Sequence, residues 1–297
     1  MSGVGTVADI RRVGVVGCGA MGSGIAEVCA RSGLDVRVVV SAANRIEPAR
    51  RKLAASLDRA VAGGRLAEAQ RDAALARVEF SWHVGDLADR QFVFECVPED
   101  ESAKQKVFAE LDGVVEDQAA VFATNTSSLP IIRLARVCER PEQVVGTHFF
   151  NPVPLLPLVE VTASLLTDER TARQAEEFIA GPLGKTVIRA RDRAGFVVNA
   201  LLVPYLMSAV RMVESGFASA EDIDQGMRLG CAHPIGPLAL ADLIGLDTLA
   251  AVTEGLYAEF RDPVYSCPPL LGRMVEAGLL GKKSGRGFHR YPQLAGA

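Results

Sequence analysis

Two groups of residues in this chain have types and spacings suited to chemistry. The first is Gly17-Cys18-Gly19-Ala20-Met21-Gly22. It follows an apolar run at 13–16 and opens a helical pattern, the strand-turn-helix setting that a dinucleotide phosphate site needs. Gly17 is expected to allow the tight turn, Gly19 to let backbone N–H groups approach a pyrophosphate, and Gly22 to let helix and strand pack closely. The helix N-terminus then faces the negative charge. The second group is Thr124-Asn125-Thr126-Ser127-Ser128, then Gly146-Thr147-His148-Phe149-Phe150-Asn151-Pro152, then Leu158-Val159-Glu160-Val161. His148 stands where a strand ends, and doubly wound sheets bind ligands at the carboxyl ends of their strands. Glu160 interrupts an apolar run, so its carboxylate is expected to be partly buried and to need a partner. A histidine on a neighbouring strand end would suit it. The acid would hold the imidazole in one tautomer and stabilise its protonated form. Such a pair can move a hydroxyl proton while a hydride passes to a nicotinamide. Taken singly, His148 and Glu160 would fit ordinary core or loop positions, and Ser127 and Ser128 an ordinary turn. Their company with the glycine turn points to a site.

The positioning elements follow from periodicity. Apolar, β-branched runs recur at 13–17, 36–40, 78–80, 92–97, 120–124, 144–149, 158–162 and 186–190. The first several are near-continuous, as strands buried on both faces of a parallel sheet are. Helical patterns at 23–32, 47–62 and 104–115 lie between them. The fold class is therefore α/β: a Rossmann-type doubly wound sheet domain. After 191 the pattern becomes helical, at 196–216, at 221–230 with Ser219 as N-cap, and at 237–244, 247–260 and 270–277. This gives an all-α C-terminal domain. The expected domains are 1–190 and 191–297, joined in the charged stretch 189–193. The helix from 196 is too apolar to face solvent and is expected to be buried between domains or between subunits.

The 297 residues are 49% hydrophobic with a net charge of −4, which describes an ordinary globular protein and argues against a general nucleic-acid binder. No apolar run reaches the roughly 18 residues of a membrane span. Residues 1–12 lack a secretory apolar region and suggest a short disordered lead. The cysteines Cys18, Cys29, Cys96, Cys138, Cys231 and Cys267 are scattered without metal spacing. They read as reduced core thiols of a cytoplasmic protein, with no structural metal expected. Where strand two ends, an NAD site usually has an acid on the ribose hydroxyls. Here Ser41 holds that place and Arg45 follows. Ser41 would not repel a 2′-phosphate and Arg45 could reach one, which leans towards NADP over NAD.

The chain resembles the 3-hydroxyacyl-CoA dehydrogenase family, which includes 3-hydroxybutyryl-CoA dehydrogenases. The resemblance rests on Asn125-Thr126-Ser127-Ser128-Leu129, His148-Phe149-Phe150-Asn151-Pro152-Val153-Pro154 and Leu158-Val159-Glu160-Val161. Gly195-Phe196-Val197-Val198-Asn199, His233-Pro234-Ile235-Gly236-Pro237 and Gly281-Lys282-Lys283-Ser284-Gly285-Arg286-Gly287-Phe288 continue it. It implies His148 as catalytic base, Glu160 as its orienting partner, Ser127 as a ligand of the substrate oxygen and Asn199 as completing that pocket. Ala20, Met21, Glu99 and Asn125 are then expected on the cofactor. It also implies an (S)-3-hydroxyacyl-CoA thioester as substrate, with Ser56 and Arg65 as candidates for the CoA phosphates, and a homodimer formed through the C-terminal domain. Three residues depart from the family pattern: Ser41 for the acid, Ala194 for a proline, and Ala200 for an arginine that pairs with the glutamate at Glu99. The last two are expected to alter the link between the domains.

Other readings keep part of this. Relatives in polyketide pathways oxidise hydroxyacyl groups on an acyl carrier protein, and a basic docking patch would favour that carrier. A non-catalytic NAD(P)-binding protein of the lens-crystallin type would not need Ser127, His148, Glu160 and Asn199. A related sugar-acid dehydrogenase is a further alternative.

Overall fold

Valine- and phenylalanine-rich runs form strands because branched and aromatic side chains pack well on a pleated surface. The structure, a computed structural model, describes residues 10–292. In chain order the first unit contains β1 (Arg12–Val16), α1 (Ala20–Arg31), β2 (Asp35–Val39), α2 (Ile46–Ala62), α3 (Glu68–Leu75), β3 (Val78–Ser81) and β4 (Phe92–Glu95). It continues with α4 (Glu101–Val114), β5 (Val121–Thr124), α5 (Ile131–Ala135), β6 (Val144–Phe149), β7 (Leu158–Ala163), α6 (Glu169–Ala180) and β8 (Thr186–Arg191). The eight strands make one sheet in the order β3-β2-β1-β4-β5-β6-β7-β8. From β3 to β6 it is parallel; β7 runs antiparallel to β6, and β8 runs parallel to β7. This is the expected α/β doubly wound class.

The sheet core is continuous. Val13, Val15, Val36, Val38, Phe92 and Phe94 are wholly buried with Ile25 and Cys29 of α1. Phe92 stacks on Phe178 of α6 with centroids 4.7 Å apart. Each such side chain contributes about 1.5–3 kcal/mol by leaving water. Helices α3, α5 and α6 lie outside the sequence reading. Two of these three begin at acids placed to receive orphan N–H groups: Asp168 accepts from Arg170 at α6, and Asp192 accepts from Ile131 and Ile132 at α5. Of the proposed N-terminal lead, residues 1–9 lie outside the described residues, whereas Ile10 is buried.

The chain divides into two compact units, Met1–Asp192 and Arg193–Ala297. The second is all-helical: α7 (Val198–Glu214), α8 (Ala220–Gly230), α9 (Pro237–Ile244), α10 (Leu246–Phe260) and α11 (Pro269–Glu276). Ser219 caps α8 by accepting from the Asp222 N–H at 3.1 Å. Asp224 caps α9 through Leu238 and Ala239. The expectation for the helix from 196 needs correction. α7 begins at Val198, and Val203, Leu206, Met207 and Val210 are buried in the core of their own unit with Leu238, Leu249 and Leu256. No helix among the described residues is long and apolar enough to cross a membrane.

Candidate active site

The glycine turn has the geometry its spacing implies. Gly17 has φ +93°, where a side chain would be strained, and a Cβ there would meet the Cys96 carbonyl. At Gly22 a Cβ would stand 2.0 Å from the Gly17 carbonyl oxygen, so only glycine lets α1 start this close to the turn. At Gly19 a Cβ would meet nothing within 4 Å. The helix start is thus open beside Gly19, with no side-chain cap on its N–H groups. Gly17, Gly19, Ala20 and Met21 line a cleft of about 1060 Å³ with Ser41, Arg45, Lys52, Trp82, His83, Cys96 and Pro98. A dinucleotide fits these features: open backbone donors for phosphates, and apolar and aromatic walls for rings. Two of the cysteines read as core thiols, Cys18 and Cys96, line this cleft, and Cys231 is exposed. Burial pushes the Cys18 thiol up to about 11, with Lys52 only partly opposing, so it brings no charge to the phosphate turn.

His148 and Glu160 meet. β6 and β7 are antiparallel, and their register sets the two residues directly opposite each other. The imidazole Nδ1 lies 2.7 Å from Glu160 Oε2; His148 is 7% exposed and Glu160 fully buried. A buried carboxylate accepts, so the tautomer that fits carries its proton on Nδ1 and leaves Nε2 as the basic nitrogen. Phe150 packs against the imidazole with ring centroids 4.5 Å apart. The glycine turn follows β1 and His148 stands near the end of β6. Both therefore lie at the carboxyl edge of the parallel strands.

Between them sits a cluster that sequence reasoning missed. Lys104 of α4 is 1% exposed, and its Nζ donates to both oxygens of buried Glu95, at 2.8 and 3.0 Å. Thr124 Oγ1 donates to the same carboxylate. Burial works against the Lys104 ammonium, yet Glu95 and Glu99 hold it above the ordinary lysine range. The signal was present: Glu95 interrupts an apolar strand just as Glu160 does. Glu99, expected on the cofactor, accepts from the Thr126 and Ser128 hydroxyls and from the Ser127 and Ser128 N–H groups. Burial opposes its charge, but Lys104 and these donors outweigh it and hold its carboxyl below the usual range. Asn125 Oδ1 accepts from the Phe149 N–H and so ties the loop after β5 to the end of β6. Ser127 lies on that loop, half-buried.

Two family models match almost the whole chain: 3-hydroxyacyl-CoA dehydrogenase, NAD binding domain, over residues 12–193, and 3-hydroxyacyl-CoA dehydrogenase, C-terminal domain, over 195–291. The chain belongs to the 3-hydroxyacyl-CoA dehydrogenase family. It is thus an oxidoreductase acting on a CH–OH group, with an NAD-binding domain. A 3-hydroxybutyryl-CoA dehydrogenase of Mycobacterium tuberculosis is 56% identical over 95% of this chain and 99% of its own. A crystal structure of M. tuberculosis FadB2, also 56% identical, superposes with a TM-score of 0.94 over 95% of this chain and 99% of that one. The (S)-3-hydroxybutyryl-CoA dehydrogenase of Ralstonia eutropha is 44% identical, with a TM-score of 0.90 over 96% of this chain and 100% of its own.

The departures from the family pattern now have a physical context. Ser41 and Arg45 face the dinucleotide cleft from the end of β2 and the turn before α2, and Lys52 of α2 joins them. Glu99, whose family partner is replaced by Ala200, is held within its own unit by Lys104. The Ala194 N–H donates to Glu259 Oε1 at 3.2 Å, a bond that the usual proline could not make. Asn199 lies on the first turn of α7 in the second unit, half-buried. Ser56 lies on α2, while Arg65, in the turn after it, lines a basic pocket that Ser56 does not.

Proposed function

We propose that this chain interconverts a short (S)-3-hydroxyacyl-CoA, such as 3-hydroxybutyryl-CoA, and the corresponding 3-ketoacyl-CoA. The observation that carries the reading is the buried His148–Glu160 pair at 2.7 Å, on the sheet edge that also carries the glycine turn. A bound nicotinamide supplies the hydride acceptor for oxidation, or the donor for reduction. In oxidation, His148 takes the hydroxyl proton at Nε2. Glu160 keeps Nδ1 protonated and offsets the positive charge that His148 gains. Ser127 hydrogen-bonds the oxygen at the reacting carbon, and Asn199 is a second ligand of the substrate. Glu99 and Asn125 shape the cofactor side. The names of the relatives support the CoA thioester.

NADP(H) is the favoured cofactor in this reading. Ser41 carries no charge to repel a 2′-phosphate, and Arg45 and Lys52 line the same cleft. The working form is a homodimer through the second unit, where Leu201, Phe217 and Leu229 are 73–77% exposed in the single chain.

The test is the loss of reduced-nicotinamide absorbance with acetoacetyl-CoA and longer 3-ketoacyl-CoA thioesters, each with NADPH and NADH. Parallel assays on acetoacetyl-acyl carrier protein resolve the carrier. Turnover of the short CoA thioester, faster with NADPH, is expected. No turnover with either cofactor overturns the activity, a strong NADH preference overturns the cofactor reading, and turnover confined to the carrier protein overturns the CoA reading.

A further inference from the structure

α5 is too short a helix to hold itself. It has five residues, and helices of fewer than about 12 are marginal without outside support. Pro130 stands at its N-cap and supplies no side-chain cap. The N–H groups that open the helix are met from far along the chain instead. Asp192 Oδ1 accepts from Ile131 at 2.7 Å, and Oδ2 accepts from Ile132 at 2.9 Å. Both bonds carry the charge of a carboxylate, which makes them stronger than bonds between neutral groups. The negative charge also suits a helix start.

What α5 holds in turn is the loop of Ser127, which stands four residues before Ile131. That loop is tied in three places. At its start Asn125 accepts from the Phe149 N–H. In its middle Glu99 accepts from the Ser127 and Ser128 N–H groups. At its end the chain enters α5, where Asp192 takes over. Ile131 is wholly buried, and a Cβ at Gly146 would stand 2.7 Å from its Cδ1. The residue that Asp192 seats therefore lies on the bare backbone of β6, two residues before His148. One carboxylate thus fixes the end of the Ser127 loop against the strand that carries His148. Asp192 is half-buried, and it is the last residue of the first unit.

We propose that Asp192 is a positioning residue for the reaction: through α5 it sets Ser127 relative to His148. The inference rests on the roles proposed above for those two residues. Asp192 acts through Ser127 and not on the substrate. Small displacements matter at such a site, because a shift of about 1 Å in a reacting geometry can cost about 10²-fold in rate.

The test is a double-mutant cycle on the full chain, with wild type, Asp192→Ala, Ser127→Ala and the double variant assayed on acetoacetyl-CoA with reduced cofactor. Asp192→Ala is expected to lower kcat about tenfold or more, while cofactor binding, read by Trp82 fluorescence, stays near wild type. On the Ser127→Ala background the same change is expected to cost less than about twofold, because the group it positions is gone. An equal loss on both backgrounds, or a loss of cofactor affinity that matches the loss of kcat, means support of the fold alone and overturns the proposal. Asp192→Asn keeps one acceptor, is expected to lose less, and takes the place of the alanine variant should that one not fold. Unchanged kcat in either folded variant also overturns the role. Amide hydrogen exchange separates the inference from the substrate reading. In Asp192→Ala, exchange across 126–132 is expected to rise about tenfold while β1 and β4 stay protected, whatever the substrate; unchanged exchange overturns the clamp. Absence of turnover by wild type overturns the acyl-CoA reading instead, and the exchange result then decides the role of Asp192.

Discussion

At the scale of residues, a fully buried carboxylate is tolerated only where something meets its charge. Glu160 meets one imidazole, and that contact sets the nitrogen that works. Glu160→Gln keeps the shape and removes the charge. It is expected to lower kcat about 10²-fold while leaving the KM of the cofactor near wild type, as steady-state kinetics would show. An equal loss in cofactor affinity would mean that Glu160 supports the fold rather than the proton transfer. Glu99 offers a second test. Its carboxyl is held below the ordinary value of 4.5, so its contribution is complete above that value and is lost as pH falls through the lower, folded one. Glu99→Gln should therefore melt below wild type at neutral pH, and the gap should close only under more acidic conditions. A gap independent of pH would contradict the assignment. Glu160 was legible in the sequence because it breaks an apolar run and a histidine ends the run before it. Glu95 sends the same signal, but its partner Lys104 sits nine residues on, where a helix face looks like any solvated one.

At the scale of elements, inner strands such as β1, β4 and β5 were legible because strands buried in a parallel sheet are largely apolar, and all eight strands lie where the runs are. The reversal of β7 was not legible, although it is what sets His148 opposite Glu160. Direction leaves no mark in a run such as Leu158-Val159-Glu160-Val161. Helices α3, α5 and α6 were missed because they are short, or polar on the side away from the sheet. The glycine turn separates two effects that the motif merges. Gly22→Ala forces a Cβ to 2.0 Å from the Gly17 carbonyl oxygen and should cost about 1–3 kcal/mol of stability by overpacking. Gly19→Ala meets open space and should melt near wild type but bind the dinucleotide more weakly. Calorimetric melting and cofactor titration on both variants check this; the reverse pattern would contradict the assigned roles.

At the scale of the whole molecule, composition excluded classes without choosing a function. A net charge of −4 says nothing of Arg31, Arg65, Arg77 and Lys185, which line one pocket at the end of α1. The apolar side chains of α7 were foreseen as interface, and most of them fill the core of their own unit instead. Leu201, Phe217 and Leu229 are left outside. Light scattering on the purified protein should give twice the 31.6 kDa of one chain, and a monomer at micromolar concentration would contradict the proposed dimer. The most direct measurement is rapid mixing of His148→Gln, loaded with reduced cofactor, against acetoacetyl-CoA. Trp82, the one tryptophan of the chain, lines the dinucleotide cleft and reports loading by its fluorescence. The variant should load as tightly as wild type and oxidise its cofactor at less than about one hundredth of the rate; oxidation near the wild-type rate would contradict the role of His148.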